Sequence, residues 1–117
     1  MAGGISVHAV DVARGMVAAG LAVRIERLEP DGTRVLIADG RIGPHGLLEH
    51  PVTAGVGVKG GVHEVLLDVG GFLAATGGDS TPFLGVVPFR FNVFDVTQHY
   101  HLPIKLTPYG YSIWRGA

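Results

Sequence analysis

Three histidines in this chain of 117 residues stand at spacings that could support acid–base chemistry. His99 and His101 flank Tyr100 near the carboxyl end, and His8 lies near the amino end. Side chains alternate between the two faces of a β-strand, so His99 and His101 would share one face and Tyr100 would point to the other. An imidazole titrates near neutral pH and can take a proton from water. The spacing predicts a histidine site for proton transfer.

The same three histidines could instead bind a metal ion. Two histidines on one strand face, with a third from elsewhere in the chain, can hold zinc and leave one coordination position open. The pattern lacks a nearby acidic residue of the kind that orients such ligands. We therefore expect neither a metal ion nor another cofactor.

Length and composition restrict the class of protein. The chain fits one domain, residues 1–117, and is long enough to bury a core without disulfides. It contains no cysteine, which excludes thiol chemistry and fits a reducing cytoplasm. Scattered charges with a net charge of -1 form no basic stripe for nucleic acid, and no apolar run approaches the length of a membrane span. We expect a cytoplasmic protein that binds neither nucleic acid nor membranes.

The balance of charged and apolar residues indicates self-association. Charged residues make up 16% of the chain and hydrophobic residues 47%, whereas an average globular protein has roughly 25% charged residues. A monomer of this size would leave much apolar surface in water. We therefore expect a homo-oligomer that covers part of that surface.

Short β-rich segments alternate with turns marked by 19 glycines and 7 prolines, which predicts an all-β sandwich. The sequence Pro-Asp-Gly at residues 30–32 indicates a hairpin turn. Pro88 has no backbone donor, so its strand should lie at a sheet edge or carry a bulge. Residues 71–78 favour one short helix, and residues 40–61 show no firm period. The predicted strands are residues 5–11, 21–28, 34–39, 61–67, 86–93, 99–106 and 109–115.

The two ends of the chain resemble a known family. Residues 5–11 read Ile-Ser-Val-His-Ala-Val-Asp, residues 99–103 read His-Tyr-His-Leu-Pro, and residues 107–117 read Thr-Pro-Tyr-Gly-Tyr-Ser-Ile-Trp-Arg-Gly-Ala. These segments resemble Ser-Thr-His-Val-Leu-Asp, His-Tyr-His-Val-Pro and Ser-Pro-Phe-Gly-Tyr-Ser-Thr-Tyr-Arg-Gly-Ser of the transthyretin-like family, and within it of the 5-hydroxyisourate hydrolases of purine breakdown. Residues 68–75 and 86–95 are similar to further family segments. The resemblance covers nearly the whole chain.

The resemblance implies a fold, an assembly and an activity. The fold is a transthyretin-like sandwich of two antiparallel sheets with one short helix, assembled as a homotetramer, a dimer of dimers, with active sites in a cleft or channel between subunits. The activity is hydrolysis of a cyclic amide or ureide such as 5-hydroxyisourate. His8 and His101 would activate the attacking water, and His99 would be either a partner of His101 or a solvent-facing residue.

The family also has an arginine in a loop motif Asn-Ala-Asp-Gly-Arg, and two registers compete for it here. If Asp-Gly-Arg at residues 39–41 is that motif, Arg41 is the catalytic arginine. If Gly-Pro-His-Gly at residues 43–46 takes the place of Asn-Ala-Asp-Gly, the next residue is Leu47. The second register needs no gap over residues 35–40, and we favour it slightly.

The C-terminal segment departs from the family at two positions. Trp114 and Ala117 replace the tyrosine and serine of Tyr-Arg-Gly-Ser, so a phenol and a hydroxyl are lost. Arg115 is retained as a candidate to hold the substrate, and Ser112 would support the last strand or offer a hydroxyl. Together with Leu47, the two replacements make the pocket more apolar. This change favours one alternative, a cyclase, isomerase or ring-opening enzyme of specialised metabolism with a less polar substrate. A non-enzymatic carrier of a small molecule is a further alternative, and the retention of both histidines argues against it.

Overall fold

The computed structural model describes residues 3–77 and 81–117. The helix α1 spans Val69–Gly77, and one turn of 3-10 helix spans Pro51–Ala54. Neither of these helices has the length and apolar character needed to cross a membrane. The strands are β1 (Ile5–Asp11), β2 (Met16–Val17), β3 (Ala22–Leu28), β4 (Arg34–Arg41), β5 (Gly61–Asp68), β6 (Val86–Val93), β7 (Tyr100–Thr107) and β8 (Gly110–Ile113).

The strands form two four-stranded sheets. The first sheet has the order β2-β1-β7-β8, and the second has the order β4-β3-β5-β6. Every strand pair is antiparallel except β1 and β7, which run parallel with Ile5 opposite Tyr100 and Asp11 opposite Leu106. All four strands of the second sheet lie between β1 and β7 in the chain. No hairpin therefore joins β1 to β7, and the long connection allows the two strands to run parallel. The predicted all-β sandwich is confirmed, and the expected antiparallel pairing is corrected at this central pair.

Alternation along the strands separates the core from the outer face of the first sheet. In β1, Ile5, Val7 and Ala9 are completely buried, whereas His8 and Val10 on the other face are only partly buried. Burial of each large apolar side chain contributes about 1.5–3 kcal/mol. The buried residues of β7 continue the same layer: Tyr100, Leu102, Ile104 and Leu106.

Several local features match the sequence pattern. Gly32, in the turn at residues 30–32, has a φ of +90°, in the left-handed region that hairpin turns favour. The strand β6, which contains Pro88, lies at an edge of the second sheet, as predicted. Helix α1 begins at Val69, two residues before the predicted start, and the predicted last residue, Gly78, lies outside the described residues. The short strand β2 was not predicted.

Ion pairs cover the outer face of the second sheet. Arg34 Nη1 lies 2.9 Å from Glu26 Oε1 and 2.8 Å from Glu64 Oε1, and Arg90 Nε lies 3.0 Å from Glu64 Oε2. The hydrogen bond from Arg34 is the main reason why the pKa of the Glu64 carboxyl lies below its usual value. Glu64 is buried, but the Arg34 and Arg90 side chains are 44% and 55% exposed, so solvent screens these pairs and each stabilises the fold by only about 0–1 kcal/mol. Their main effect here is to make this face a polar surface.

His63 in β5 is buried in the core beside Phe91, with 5.9 Å between the ring centres. Its Nδ1–H donates to the carbonyl oxygen of Gly61 at 3.0 Å, and Nε2 has no hydrogen-bond partner among the residues that the structure describes. Burial is the main cause that lowers the pKa of His63. The Gly61 carbonyl and Glu29 act in the opposite direction, and Arg27 lowers the pKa further.

We expect acid to destabilise the protein through His63. Because its pKa is lowered in the folded state, the unfolded chain binds the proton more readily. The contribution of His63 to stability is therefore present above pH 6.5, the ordinary pKa of histidine, and is lost as the pH falls below it. Thermal unfolding followed by circular dichroism should show a weaker dependence of Tm on pH, between neutral pH and about pH 5, in His63→Leu than in the parent. The exposed His45 provides the control, since His45→Leu should keep the parental slope. An equal slope in His63→Leu would contradict this expectation.

Candidate active site on the outer face of the first sheet

The register of the first sheet arranges the side chains of its outer face in rows. The parallel pair places Ser6 opposite His101 and His8 opposite Pro103. On the other side of β7, Lys105 lies opposite Ser112, and a bridge between His101 and Gly116 continues that register past the end of β8. We refer to the nine residues in these rows as the histidine face. The first row is Ser6, His101 and Gly116, the second is His8, Pro103 and Trp114, and the third is Val10, Lys105 and Ser112.

The segment that lacked a sequence period borders the histidine face beside β1. Leu47 forms a bridge with His8, and the Leu48 N–H donates to the Val7 carbonyl. Gly46 allows this approach, because it has a φ of +84° and a Cβ on it would lie 2.6 Å from Nε2 of His8. Only a few residues of the segment pair with β1, which explains why no strand period marks it.

The hydroxyl of Ser6 links two histidines. Its Oγ lies 2.8 Å from Nε2 of His99 and 2.6 Å from Nδ1 of His101. On its other side, Nδ1 of His99 lies 2.9 Å from the carbonyl oxygen of Gly3. A carbonyl oxygen only accepts hydrogen bonds, so neutral His99 carries its proton on Nδ1 and accepts the Ser6 hydrogen at Nε2.

This order of donors determines the tautomer of His101. Since the Ser6 hydroxyl donates to His99, its oxygen accepts the hydrogen on Nδ1 of His101. Nε2 of His101 then carries a lone pair and no proton, which is the form of imidazole that acts as a base. Burial is the main cause that lowers the pKa of His101, and the neighbouring His8 and His99 lower it further. His101 is therefore neutral at neutral pH.

The C-terminal segment packs directly against His101. The Gly116 N–H donates to the His101 carbonyl oxygen at 2.7 Å. A Cβ at position 116 would lie 2.9 Å from Cδ2 of His101 and 2.9 Å from Cγ of Pro103, so a larger residue would displace the ring. These short distances explain why a glycine occupies position 116 in the terminal Arg-Gly pair.

Of the two positions considered for the family's arginine, the structure places Leu47 beside His8. Residues that face each other across a bridge point to the same side, so the Leu47 side chain borders the histidine face. Arg41 ends β4 in the second sheet, and its Nη1 donates to the carbonyl oxygen of Gly20 at 2.9 Å. The position next to His8 therefore carries an isobutyl group.

The residues near the carboxyl end divide between two surfaces. Trp114 belongs to the histidine face, and Nζ of Lys105 lies 5.8 Å from the centre of its ring. Arg115 turns to the end of the sandwich, where its guanidinium carbon lies 4.3 Å from the centre of the Tyr100 ring. Ala117 follows Gly116 and is exposed. The structure thus places Trp114 beside Lys105 on the histidine face, whereas the Arg115 guanidinium is held by the Tyr100 ring and the His99 carbonyl oxygen.

His99 and His101 form a hydrogen-bonded chain through the Ser6 hydroxyl instead of a ligand set. Among residues 3–77 and 81–117, no group of three His, Cys, Asp or Glu side chains has the geometry to hold a metal ion. The Ser6 hydroxyl occupies the space between His99 and His101 that a shared metal ion would need. The donor set therefore does not fit the zinc site considered above.

Ser6 and Lys105 were not predicted as site residues from the sequence. Ser6 precedes His8 by two residues, so strand alternation alone indicates a shared face. Lys105 follows His101 by four residues and shares its face for the same reason. The contacts of Ser6 could not be predicted, because they depend on the register between β1 and β7.

Comparison with known proteins defines the class. The HIUase/Transthyretin family matches residues 5–116. The 5-hydroxyisourate hydrolase 2 of Rhizobium meliloti (strain 1021) is 36% identical over 117 residues, which cover 98% of this chain and 97% of the relative. The chain belongs to the HIUase/transthyretin family.

Two solved structures share the fold. An (S)-allantoin synthase superimposes with a TM-score of 0.87 at 27% identity, covering 99% of this chain and 44% of that one. Sea bream transthyretin in complex with thyroxine superimposes with a TM-score of 0.86 at 25% identity, covering 97% of this chain and 94% of that one. The transthyretin-like sandwich expected from the chain's ends is confirmed. Because one neighbour is an enzyme and the other holds thyroxine, the fold alone does not identify a function.

Removal of the Ser6 hydroxyl should allow His101 to adopt both of its neutral tautomers. In Ser6→Ala, Nδ1–H of His101 loses its acceptor, so both neutral tautomers should be populated. In the parent and in Ser6→Thr, which retains a hydroxyl, the proton should stay on Nδ1. Nitrogen-15 NMR of the imidazoles distinguishes these states, and the signals are assigned by their loss in His101→Asn. A parental spectrum with the His101 proton on Nε2 would contradict the proposed order of donors.

Proposed function

We propose that this protein hydrolyses a cyclic amide or ureide, 5-hydroxyisourate or a close relative, without a cofactor. The observation that carries the proposal is the Ser6 hydroxyl between His99 and His101, which leaves Nε2 of His101 free to accept a proton. Membership of the HIUase/transthyretin family, and the similarity over the whole chain to a 5-hydroxyisourate hydrolase, support the substrate class.

In the proposed mechanism, Nε2 of His101 takes a proton from a water molecule on the histidine face. The water oxygen attacks the ring carbonyl carbon and forms a tetrahedral intermediate. The carbon–nitrogen bond then breaks and the proton passes from His101 to the leaving nitrogen. The new carboxylic acid releases its own proton to solvent and remains as a carboxylate. His8, one row away, hydrogen-bonds the attacking water or the carbonyl oxygen on which negative charge develops.

Apolar side chains complete the second row around these groups. Leu47 borders His8 on one side, and Trp114 ends the row on the other. The indole offers a flat surface on which a ring can stack. In a cleft with little water, the hydrogen bonds of His8 and His101 act more strongly on developing charge.

One observation favours a second candidate function. The leucine beside His8 cannot pair with an anion or an oxyanion, which suits a related ring-opening or isomerising enzyme that acts on a less polar ring. Such an enzyme would depend on His8 and His101 without opening hydroxyisourate. A carrier of small molecules would bind its ligand without depending on either histidine.

We also propose that the protein assembles as a homotetramer, a dimer of dimers. Strands β6 and β8 lie at the sheet edges of the described chain, where strands of a second copy can pair. On the first sheet, Trp114 is 41% exposed and Leu47 is 39% exposed, so a second copy would cover apolar surface and turn the open histidine face into a cleft.

Light scattering after size-exclusion chromatography tests this assembly. We expect a mass of four copies of the 12.2 kDa chain that persists on dilution. A mass of one copy at every concentration would contradict it.

The activity itself is tested with 5-hydroxyisourate generated in place from urate by urate oxidase. Loss of the general base should lower kcat by about 10²–10⁴-fold in His101→Asn. His50 provides a matched control, because its Nδ1 accepts the Val52 N–H at the 3-10 turn and asparagine also caps helices. His50→Asn should retain parental activity. Decay no faster than in buffer with the parent protein would discard the hydrolase proposal.

The acidic limb of the pH profile should lie below pH 6.5. The base must be unprotonated to act, and burial together with His8 and His99 lowers the pKa of His101 below that ordinary value. Activity should therefore be retained at mildly acidic pH and lost as the pH falls through the lowered pKa. The check is kcat/KM as a function of pH, and an acidic limb above pH 6.5 would contradict the role of His101.

A further inference from the structure

Among the nine residues of the histidine face there is one lysine and no arginine. Lys105 lies in its third row, opposite Val10 on β1 and Ser112 on β8. The two arginines expected to hold a substrate are held elsewhere, Arg41 by a carbonyl next to the second sheet and Arg115 at the end of the sandwich.

The ammonium group of Lys105 is available to a ligand. Lys105 is exposed and forms no ion pair within 4.0 Å in the described part of the chain, whereas Arg34 and Arg90 on the opposite face are paired with Glu64. Its Nζ contacts the face of the Trp114 ring at 5.8 Å. Trp114 belongs to the second row, so the ammonium lies beside a side chain of the row that contains His8.

The spacing of the rows matches a substrate that reaches from the histidines to Lys105. Neighbouring rows lie about 7 Å apart along the strands, and His101 and Lys105 are two rows apart at about 13 Å. His8 lies in the row between them. With the reacting carbonyl near His101 and His8, the far side of a bicyclic or extended ring lies within reach of the four-carbon stem of Lys105.

Burial of the Lys105 ammonium would carry a free-energy cost. If a second copy covers the histidine face, the Lys105 ammonium loses water, and its same-chain neighbours Val10, Pro103 and Trp114 supply no counter-charge. Such a group is costly in a closed site unless an anion pairs with it. A negatively charged substrate or product removes this cost.

We infer that Lys105 is the anion-binding residue of the histidine face, and that it selects a negatively charged cyclic ureide over a neutral one. The inference rests on the proposed function and names the charge of its substrate. Lys105 binds the anionic side of the ring, while His8 and His101 act on the carbonyl. The carboxylate that hydrolysis creates is a second anion on the same face.

Isothermal titration with urate, a stable anionic ring, measures the role of Lys105 in binding. In Lys105→Met the Kd for urate should rise by about tenfold or more, as expected for loss of a hydrogen bond to a charged group. Lys105→Arg should bind close to the parental level. The other lysine of the chain, exposed Lys59, provides the control, and Lys59→Met should bind urate as the parent does. Added salt should weaken binding by the parent more than binding by Lys105→Met.

Kinetics and a neutral probe separate this role from a structural one. In the hydroxyisourate assay, Lys105→Met should raise KM with little change in kcat, because the ammonium binds substrate away from the reacting carbonyl. Affinity for allantoin, which is neutral, should be the same in Lys105→Met and the parent. An equal loss of affinity for urate and allantoin would overturn the inference.

The failures of the two proposals are distinguishable. Parental urate affinity and KM in Lys105→Met would overturn the role of Lys105 and leave the hydrolase proposal intact. A parent that does not open hydroxyisourate, yet binds urate through Lys105, would overturn the hydrolase proposal and support the anion-binding role. Unfolding temperatures of the variants confirm that each comparison is between folded proteins.

Discussion

The parallel pairing of β1 with β7 is the constraint on which the candidate site depends. It joins segments 93 and 95 residues apart where the Ser6 hydroxyl contacts His99 and His101. The base, His101, lies on β7, and its hydrogen-bond partner, Ser6, lies on β1. A shift of one residue in this register would turn the site residues of one strand toward the core. The apolar residues on the inner faces of both strands therefore determine the chemistry of the outer faces, because burying them selects the register.

The two outer faces of the sandwich differ in how their charges are neutralised. On the second sheet, Arg34 and Arg90 neutralise Glu64, so these charges need no ligand as a partner. On the first sheet, the histidines are ordered by the Ser6 hydroxyl, and Lys105 has an indole as neighbour where an arginine on the other sheet has a carboxylate. The outer face of the first sheet thus combines hydrogen-bonded histidines, a lysine with no ion pair in the described part of the chain, and apolar neighbours, whereas the charges on the second sheet neutralise one another.

The sequence predicted those parts that depend on local patterns. Alternation predicted β1, the Pro-Asp-Gly turn predicted the hairpin, and the missing donor of Pro88 predicted an edge strand. The resemblance of the chain's ends predicted the sandwich. Contacts that depend on the register between distant strands could not be predicted from the sequence. The approach of residues 46–48 to β1 depends on a few backbone hydrogen bonds and on the space left by Gly46, and the position of Arg115 over the Tyr100 ring depends on how the chain turns after β8.

The central position of the β1–β7 pair also determines when the site can form during synthesis. β1 leaves the ribosome before every other strand of the two sheets, and β2 and residues 46–48 can cover one of its edges early. Its other edge remains open until the whole second sheet has been made, since β7 follows β6 in the chain and begins at Tyr100. Sheets built from such distant segments fold slowly and expose unpaired edges while they wait. In a newly made chain, the pairing of β7 with β1 therefore does two things at once and late. It covers the open edge of β1, and it assembles the histidine site.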